Sequence, residues 1–245
     1  MANLDALVEE IVIANRILAA EGITDAYGHV SVRHPDRPDR YFLSRARAPQ
    51  CIEAADIMEY ALDGTPVDPR GRSSYLERFI HGALYEMRAD VHGVVHSHSL
   101  GTVPFGVGGE TIRPMLHNCA AIGAAVPIWE SRDAFGDTDL LVRDMAMGRD
   151  LARTVGAGTT ALMRGHGSVV AERSLRRAVY VAIALQTSAN LQRETARYDK
   201  VRFLTPGEVE RCVRMLDAEE GRPLQGIDRA WEYYCYRAGV AYRPG

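Results

Sequence analysis

The period of hydrophobic and polar positions changes several times along this chain, and each change marks an element. From Leu4 to Ala20, Leu7, Ile11, Ala14 and Leu18 recur on one helical face, and Gly22 ends the run. Shorter runs with strand character follow over residues 28–32, 41–43 and 57–62, the last meeting an Asp63-Gly64 turn that signals a hairpin. The spacing predicts a helix over 74–88, a β-branched strand over 93–98, and a Gly- and Pro-rich stretch to about residue 114. Next come a strand ending at Pro127-Ile128-Trp129, a helix over 137–155, and strands over 159–163 and 168–170 joined through Gly165-His166-Gly167. The longest helix is predicted over 174–198, and C-terminal helices at about 206–217 and 227–236 close the chain. Strands arrive as hairpins as often as through helical crossovers. That predicts an α/β fold, a three-layer α/β/α arrangement around a mixed, largely antiparallel central sheet. No linker, repeat or charge block divides residues 1–245, so one domain is expected.

Composition narrows the partners. At 47% hydrophobic and 25% charged, the 245 residues are ordinary for a globular chain able to bury a sizeable core. The net charge of -3, from 29 basic against 32 acidic residues, gives no basic footprint for nucleic acid. No run approaches the ~18 consecutive apolar residues of a membrane span, so no membrane partner is expected. The N-terminus carries acids where a secretory leader carries positive charge. Cys51, Cys119, Cys212 and Cys235 form no CxxC pair and read as free thiols of a reducing compartment. A cytoplasmic protein acting on a small molecule is the expectation.

Val94-Val95-His96-Ser97-His98 carries the sharpest chemistry. Alternation along a strand points His96 and His98 the same way, which supplies half of a divalent-metal ligand set. The same pair also occurs as ordinary surface or core histidines. Arg164-Gly165-His166-Gly167 adds a third imidazole in a turn whose glycines permit a sharp bend and a close approach. A hairpin turn that happens to contain a His is the plainer reading. Glu77 has two readings as well. Ser74-Tyr75-Leu76-Glu77 fits a capping box at a helix start, while a first-turn Glu ahead of the His strand could face a metal.

Gly28-His29-Val30-Ser31-Val32-Arg33, then Ser73-Ser74 with Glu77 nineteen residues before His96, then Gly165-His166-Gly167, resemble the class II aldolase/adducin family over residues 5–215. The resemblance implies that His96, His98 and His166 bind one divalent metal ion per subunit (zinc, or manganese, iron or cobalt), with no organic cofactor. It implies that Glu77 ligates that ion or serves as acid/base. It further implies a homotetramer with active sites at subunit interfaces. Sugar-phosphate aldolases of the family hold phosphate with small residues where this chain has Ala26, His29, Ser44 and Arg45, so a phosphate cradle is not expected here. His29, Ser44, Arg45, Arg47, Ser73 and Ser74 become the candidate substrate-binding residues, with Arg45 or Arg47 as a guanidinium clamp for a carboxylate. Exposed arginines are also ordinary solvated surface. His117 stands near the position of a catalytic Tyr that family aldolases take from the neighbouring subunit, and an imidazole there could donate a proton. A His bonded to backbone after Pro114 is the alternative. The motifs look most like the branch that decarboxylates hydroxylated aromatic or pyridine dicarboxylates. An aldolase for an unphosphorylated or phosphorylated hydroxy-carbonyl substrate is the rival reading. An iron-dependent oxygenase and a non-catalytic adducin-like binding module stand behind it.

Overall fold

The computed structural model describes residues 3–242; the ends of the expected domain, residues 1–2 and 243–245, lie outside the described residues. Helix α1 (Leu4–Ala20) is capped by the Asn3 side chain, which accepts from the Ala6 N–H. It leads into β1 (His29–Arg33), β2 (Arg40–Ser44) and β3 (Ile57–Ala61). Then come α2 (Arg78–Met87), β4 (Gly93–Ser97), α3 (Val103–Gly108), β5 (Ile128–Trp129), α4 (Ser131–Phe135) and α5 (Met145–Val155). The hairpin strands β6 (Thr160–Met163) and β7 (Gly167–Glu172) follow, then α6 (Leu175–Thr195), α7 (Pro206–Glu219) and α8 (Gly226–Arg237). All seven strands join one sheet in the order β3-β2-β1-β4-β7-β6-β5. Every neighbouring pair is antiparallel except β5 and β6, which are parallel. The α/β class and the mixed, largely antiparallel sheet are therefore as the sequence pattern predicts.

Two cores sandwich the sheet. On one face Ile11, Ile17 and Leu18 of α1, Val179 and Leu185 of α6, and Trp231 of α8 pack over Val30, Val95, Leu162 and Val170. On the other, Ile80 and Leu84 of α2 and Leu151 and Val155 of α5 pack over Tyr41, Val94, Ala161 and Val169. Full burial of such aliphatic side chains stabilises by roughly 1.5–3 kcal/mol each. The strands β4 and β7 are buried at every position. Both their faces are covered by helices, so they read in sequence as apolar runs. All four cysteines are free thiols. No helix among the described residues is long and apolar enough to cross a membrane.

Four expected features differ. The capping box is overturned: α2 starts at Arg78, Glu77 is its N-cap residue, and no side chain caps it. The competing pull is tertiary. Tyr75 is buried and its hydroxyl donates to the Arg47 carbonyl, while Ser74 accepts from Tyr60, so residues 74–77 are held off the helix. The helix expected over 137–155 begins only at Met145, capped by the Asp144 side chain. Before it, Thr138 and Asp139 side chains accept from the backbone N–H groups of Leu140 and Leu141, which replaces helical bonding with local turns. The Gly- and Pro-rich stretch hides the short helix α3, whose first turn contains Pro104 where no N–H is required. At Asp63-Gly64 the chain turns back as expected, but it forms only a single bridge, Tyr60 to Pro66.

Candidate active site

The site lies at the sheet's centre, where β1, β4 and β7 are neighbours. Register places His29 of β1 opposite His96 of β4, and Val169 of β7 opposite His96 on the other side. His98 lies just beyond the last residue of β4. His166 sits in the turn between β6 and β7, and both flanking glycines have a physical reason. Gly165 has φ +69°, a left-handed conformation in which a side chain is strained. A Cβ on Gly167 would come within 2.1 Å of the Ser97 carbonyl oxygen. The Gly-His-Gly turn thus lets β7 close against the end of β4, bringing His166 to the other two histidines.

Ligand-type atoms of Glu77, His96, His98 and His166 all lie within 4.8 Å of one another. His98 Nε2 is 3.1 Å from His96 Nε2 and 3.0 Å from His166 Nε2. Glu77 Oε2 is 3.5 Å from His96 Nε2 and 3.3 Å from His166 Nε2. The second nitrogens decide what this means. His96 Nδ1 donates to the Ser168 carbonyl at 3.1 Å, and His166 Nδ1 to the Leu140 carbonyl at 2.8 Å. His98 Nδ1 meets both Asp25 carboxylate oxygens, at 3.2 and 3.3 Å. Carbonyls and carboxylates only accept, so each Nδ1 carries the hydrogen and each Nε2 lone pair points inward. Lone pairs of three imidazoles and a carboxylate aimed at one point repel unless a cation sits between them. Four ligands about 2.0–2.1 Å from a tetrahedral zinc are about 3.4 Å apart, close to the spacings here. The residues fit a divalent cation, and this N₃O donor set suits zinc and other transition ions alike.

The charge balance agrees. Burial raises Glu77, but the imidazoles of His96 and His166 outweigh it and hold the carboxyl far below the usual carboxylate range. Its other oxygen accepts the Val142 N–H at 3.0 Å, which fixes the carboxylate's direction. Burial and the neighbouring imidazoles push His98 down. For His166 burial lowers the value, and Glu77 more than reverses it by favouring positive charge beside Nε2, the charge a bound cation would supply in its place.

Above this cluster opens a cavity of about 710 Å³. Its walls are largely apolar, from Ala26, Tyr27, Ala46, Ala48, Tyr75, Leu76, Leu140 and Leu141, with His29, Arg47, Ser74 and Asp139, the last paired with Arg143, as polar groups between them. Arg47 Nη1 lies 2.6 Å from Asp56 and 3.6 Å from Glu53, and its Nε and Nη2 donate to no described residue. Arg45 is also committed to Asp56, at 2.5 Å, and does not line the cavity. Ser44 is buried and hydrogen-bonds the Tyr75 hydroxyl at 3.4 Å, and the Ser73 carbonyl accepts the Ala46 N–H at 2.8 Å. Both shape the wall from behind. His117 stands elsewhere, exposed on the helical turn His117–Ile122, beside a groove with Tyr180, Tyr233 and Tyr234.

Sequence reasoning missed the outer partners: Asp25, the Leu140 carbonyl and the Val142 N–H. Backbone groups leave no residue-type signal, although Leu140 has φ +67°, a left-handed conformation rare for Leu. It also missed His81, whose only sequence signal is a histidine one helical turn after Glu77.

Residues 9–193 match the model of the family described as class II aldolase and adducin N-terminal domain. Decarboxylase tropJ of Talaromyces stipitatus is 36% identical over 189 residues, covering 72% of this chain and 71% of the relative. The 3,4-dihydroxyphthalate decarboxylase of Arthrobacter keyseri is 32% identical over 198 residues, covering 75% of this chain and 76% of the relative. Among solved structures, L-fuculose 1-phosphate aldolase from Glaciozyma antarctica superposes with a TM-score of 0.76 at 20% identity, over 96% of this chain and 89% of that one. Fold, Gly-His-Gly turn, histidine strand and family match all agree: this chain belongs to the class II aldolase and adducin family.

Proposed function

We propose that the chain is a divalent-metal-dependent decarboxylase of a hydroxylated aromatic or pyridine carboxylate. One observation carries the reading: the convergent Nε2 atoms of His96, His98 and His166, with Glu77, lie beneath a cavity walled by Tyr27, Tyr75, Leu76, Leu140 and Leu141. Apolar and aromatic walls suit a planar ring better than a polyhydroxy sugar, which would leave its hydroxyls unpaired there. Two relatives bearing the word decarboxylase, one of them acting by its name on 3,4-dihydroxyphthalate, support the same direction.

The hydroxyl first gives up its proton and the ring carbon bearing the carboxylate takes one up, which makes that oxygen a ring ketone. The carbon–carboxylate bond then breaks, carbon dioxide leaves, and the freed electron pair restores the aromatic ring and returns negative charge to the oxygen. A divalent cation, when bound by the three histidines and Glu77, supplies the Lewis acid that lowers the energy of that charge. Arg47 offers its free guanidinium donors to a carboxylate entering the cavity, and Ser74 a hydroxyl beside it. Ring protonation needs a donor, and His117 is assigned that role from a neighbouring subunit, since it stands outside its own chain's cavity. The active unit is then a homotetramer with shared sites.

The test is a screen of the metal-loaded protein against 3,4-dihydroxyphthalate and pyridine dicarboxylates for carbon dioxide release, with L-fuculose 1-phosphate as control. Release that stops on chelation and returns with added metal is expected. Cleavage of the sugar phosphate, with every aromatic acid untouched, overturns the reading in favour of an aldolase.

A further inference from the structure

Behind the cavity wall runs a second set of buried side chains that the metal cluster does not use. His29 Nδ1 lies 2.7 Å from His81 Nε2 on α2, and His81 Nδ1 lies 2.6 Å from Ser31 Oγ on β1. Ser31 Oγ in turn lies 2.8 Å from the Tyr85 hydroxyl, one turn further along α2. Ser31 and His81 are fully buried, and Tyr85 and His29 are 1% exposed. The far end is anchored. Arg33 donates to the carbonyls of Tyr85 and Val91, at 2.7 and 2.8 Å, and its guanidinium stacks 4.9 Å over the Tyr85 ring.

Counting hydrogens gives this row a direction. Among the described residues, Ser31 Oγ is the acceptor available to the buried Tyr85 hydroxyl, so Tyr85 donates to Ser31. A buried hydroxyl with no acceptor would bear the full desolvation penalty, which disfavours the reverse order. Ser31 then donates to His81 Nδ1, which places the His81 hydrogen on Nε2 and directs it at His29 Nδ1. The hydrogen of His29 is left on Nε2, the nitrogen that no described residue engages, and His29 lines the cavity. Both rings are buried, which favours their neutral forms.

We infer that Ser31, His81 and Tyr85 are positioning residues that lock His29 as an Nε2–H donor, aimed at an oxygen of the substrate. Resting on the decarboxylase reading, the receiving atom is the ring oxygen that becomes more negative as carbon dioxide leaves. A preset donor there needs no reorganisation during the reaction. The His29 and His96 ring centroids are 5.0 Å apart, and the converging set of Glu77, His96, His98 and His166 does not include His29, so the donor stands beside the metal ligands.

The experiment is long-range proton–nitrogen NMR of the zinc-loaded full chain with labelled histidine, the His29 signals being assigned by their loss in His29→Asn. A single Nε2-protonated pattern for His29 is expected. In Ser31→Ala, and more strongly in His81→Phe, that pattern should give way to a mixture of tautomers. His81→Gln, whose amide can still present an N–H to His29, should restore it. With 3,4-dihydroxyphthalate, His81→Phe should lower kcat/KM by about tenfold or more, the loss of one fixed donor to a charged oxygen, with zinc content unchanged. An Nδ1-protonated His29 in the wild type, or a His29 pattern unmoved by both Ser31→Ala and His81→Phe, overturns the inference. Should no aromatic acid be turned over, the decarboxylase reading falls, while the spectra still decide how His29 is held.

Discussion

His96 and His81 are both fully buried on adjacent elements, β4 and α2, yet their hydrogen bonds run in opposite senses. His96 spends Nδ1 on a carbonyl and leaves a lone pair facing two other imidazoles and a carboxylate. His81 is bonded at both nitrogens, head to tail between Ser31 and His29, and has nothing left to offer a metal. A histidine's role is therefore set less by its burial than by what its second nitrogen meets. A fixed acceptor on Nδ1 makes a ligand, whereas a partner at each end makes a link in a chain.

The largest effect that would break this contrast is loss of a ligand. His166→Ala should leave the metal-free protein folded, lower metal affinity by more than the ~10–100-fold typical of an outer-partner loss, and abolish turnover. Metal analysis after dialysis checks it. Full occupancy in that variant would place the cation elsewhere.

A smaller effect tests the outer contact. Asp25 carries the hydrogen bond that orients His98, and it lies outside the ligand set. Asp25→Ala should weaken metal binding by about 10–100-fold while leaving four donors in place. A competitive metal titration reads this directly. An unchanged affinity would mean that His98 is held by packing alone.

The smallest effect separates the two groups by pH. His81 is pushed from 6.5 down to about 3, so it is neutral in the folded chain where the unfolded chain binds a proton. Its contribution is fully present above 6.5 and declines as pH falls from there toward 3, by at most about 1.4 kcal/mol per pH unit. Glu77 is pushed below its ordinary 4.5, so its contribution is present above 4.5 and declines only below that. His98 and His166 also titrate, in opposite directions, so the measurement is a difference. Urea unfolding of metal-free wild type and His81→Gln at pH 5 and pH 7 should show a flatter profile in the variant. Parallel profiles would remove the buried-neutral assignment of His81.

Much of the fold was legible because it depends on local periodicity. The strands carrying His29, His96 and the Gly-His-Gly turn stand within a residue or two of where their patterns put them. The failures share a cause. Residues 74–77 and 137–144 have helical composition, but Tyr75, Ser74, Thr138 and Asp139 form other bonds that the helix would have to break. Those two segments deliver Glu77 and the Leu140 and Val142 backbone to the site. Departure from local preference is found where the chemistry gathers.

By itself the sequence determined the strand and helix periods, the layered α/β class, the three histidines and the glycines around His166, since each depends on residue type at short range. Only the tertiary structure decided that Glu77 leaves its helix to face those histidines, and that of two arginines paired with Asp56 it is Arg47, not Arg45, that lines the cavity. It also decided that His81 backs His29 from 52 residues away. Each of these depends on which donor meets which acceptor across elements far apart in the chain, and residue type alone does not carry that pairing.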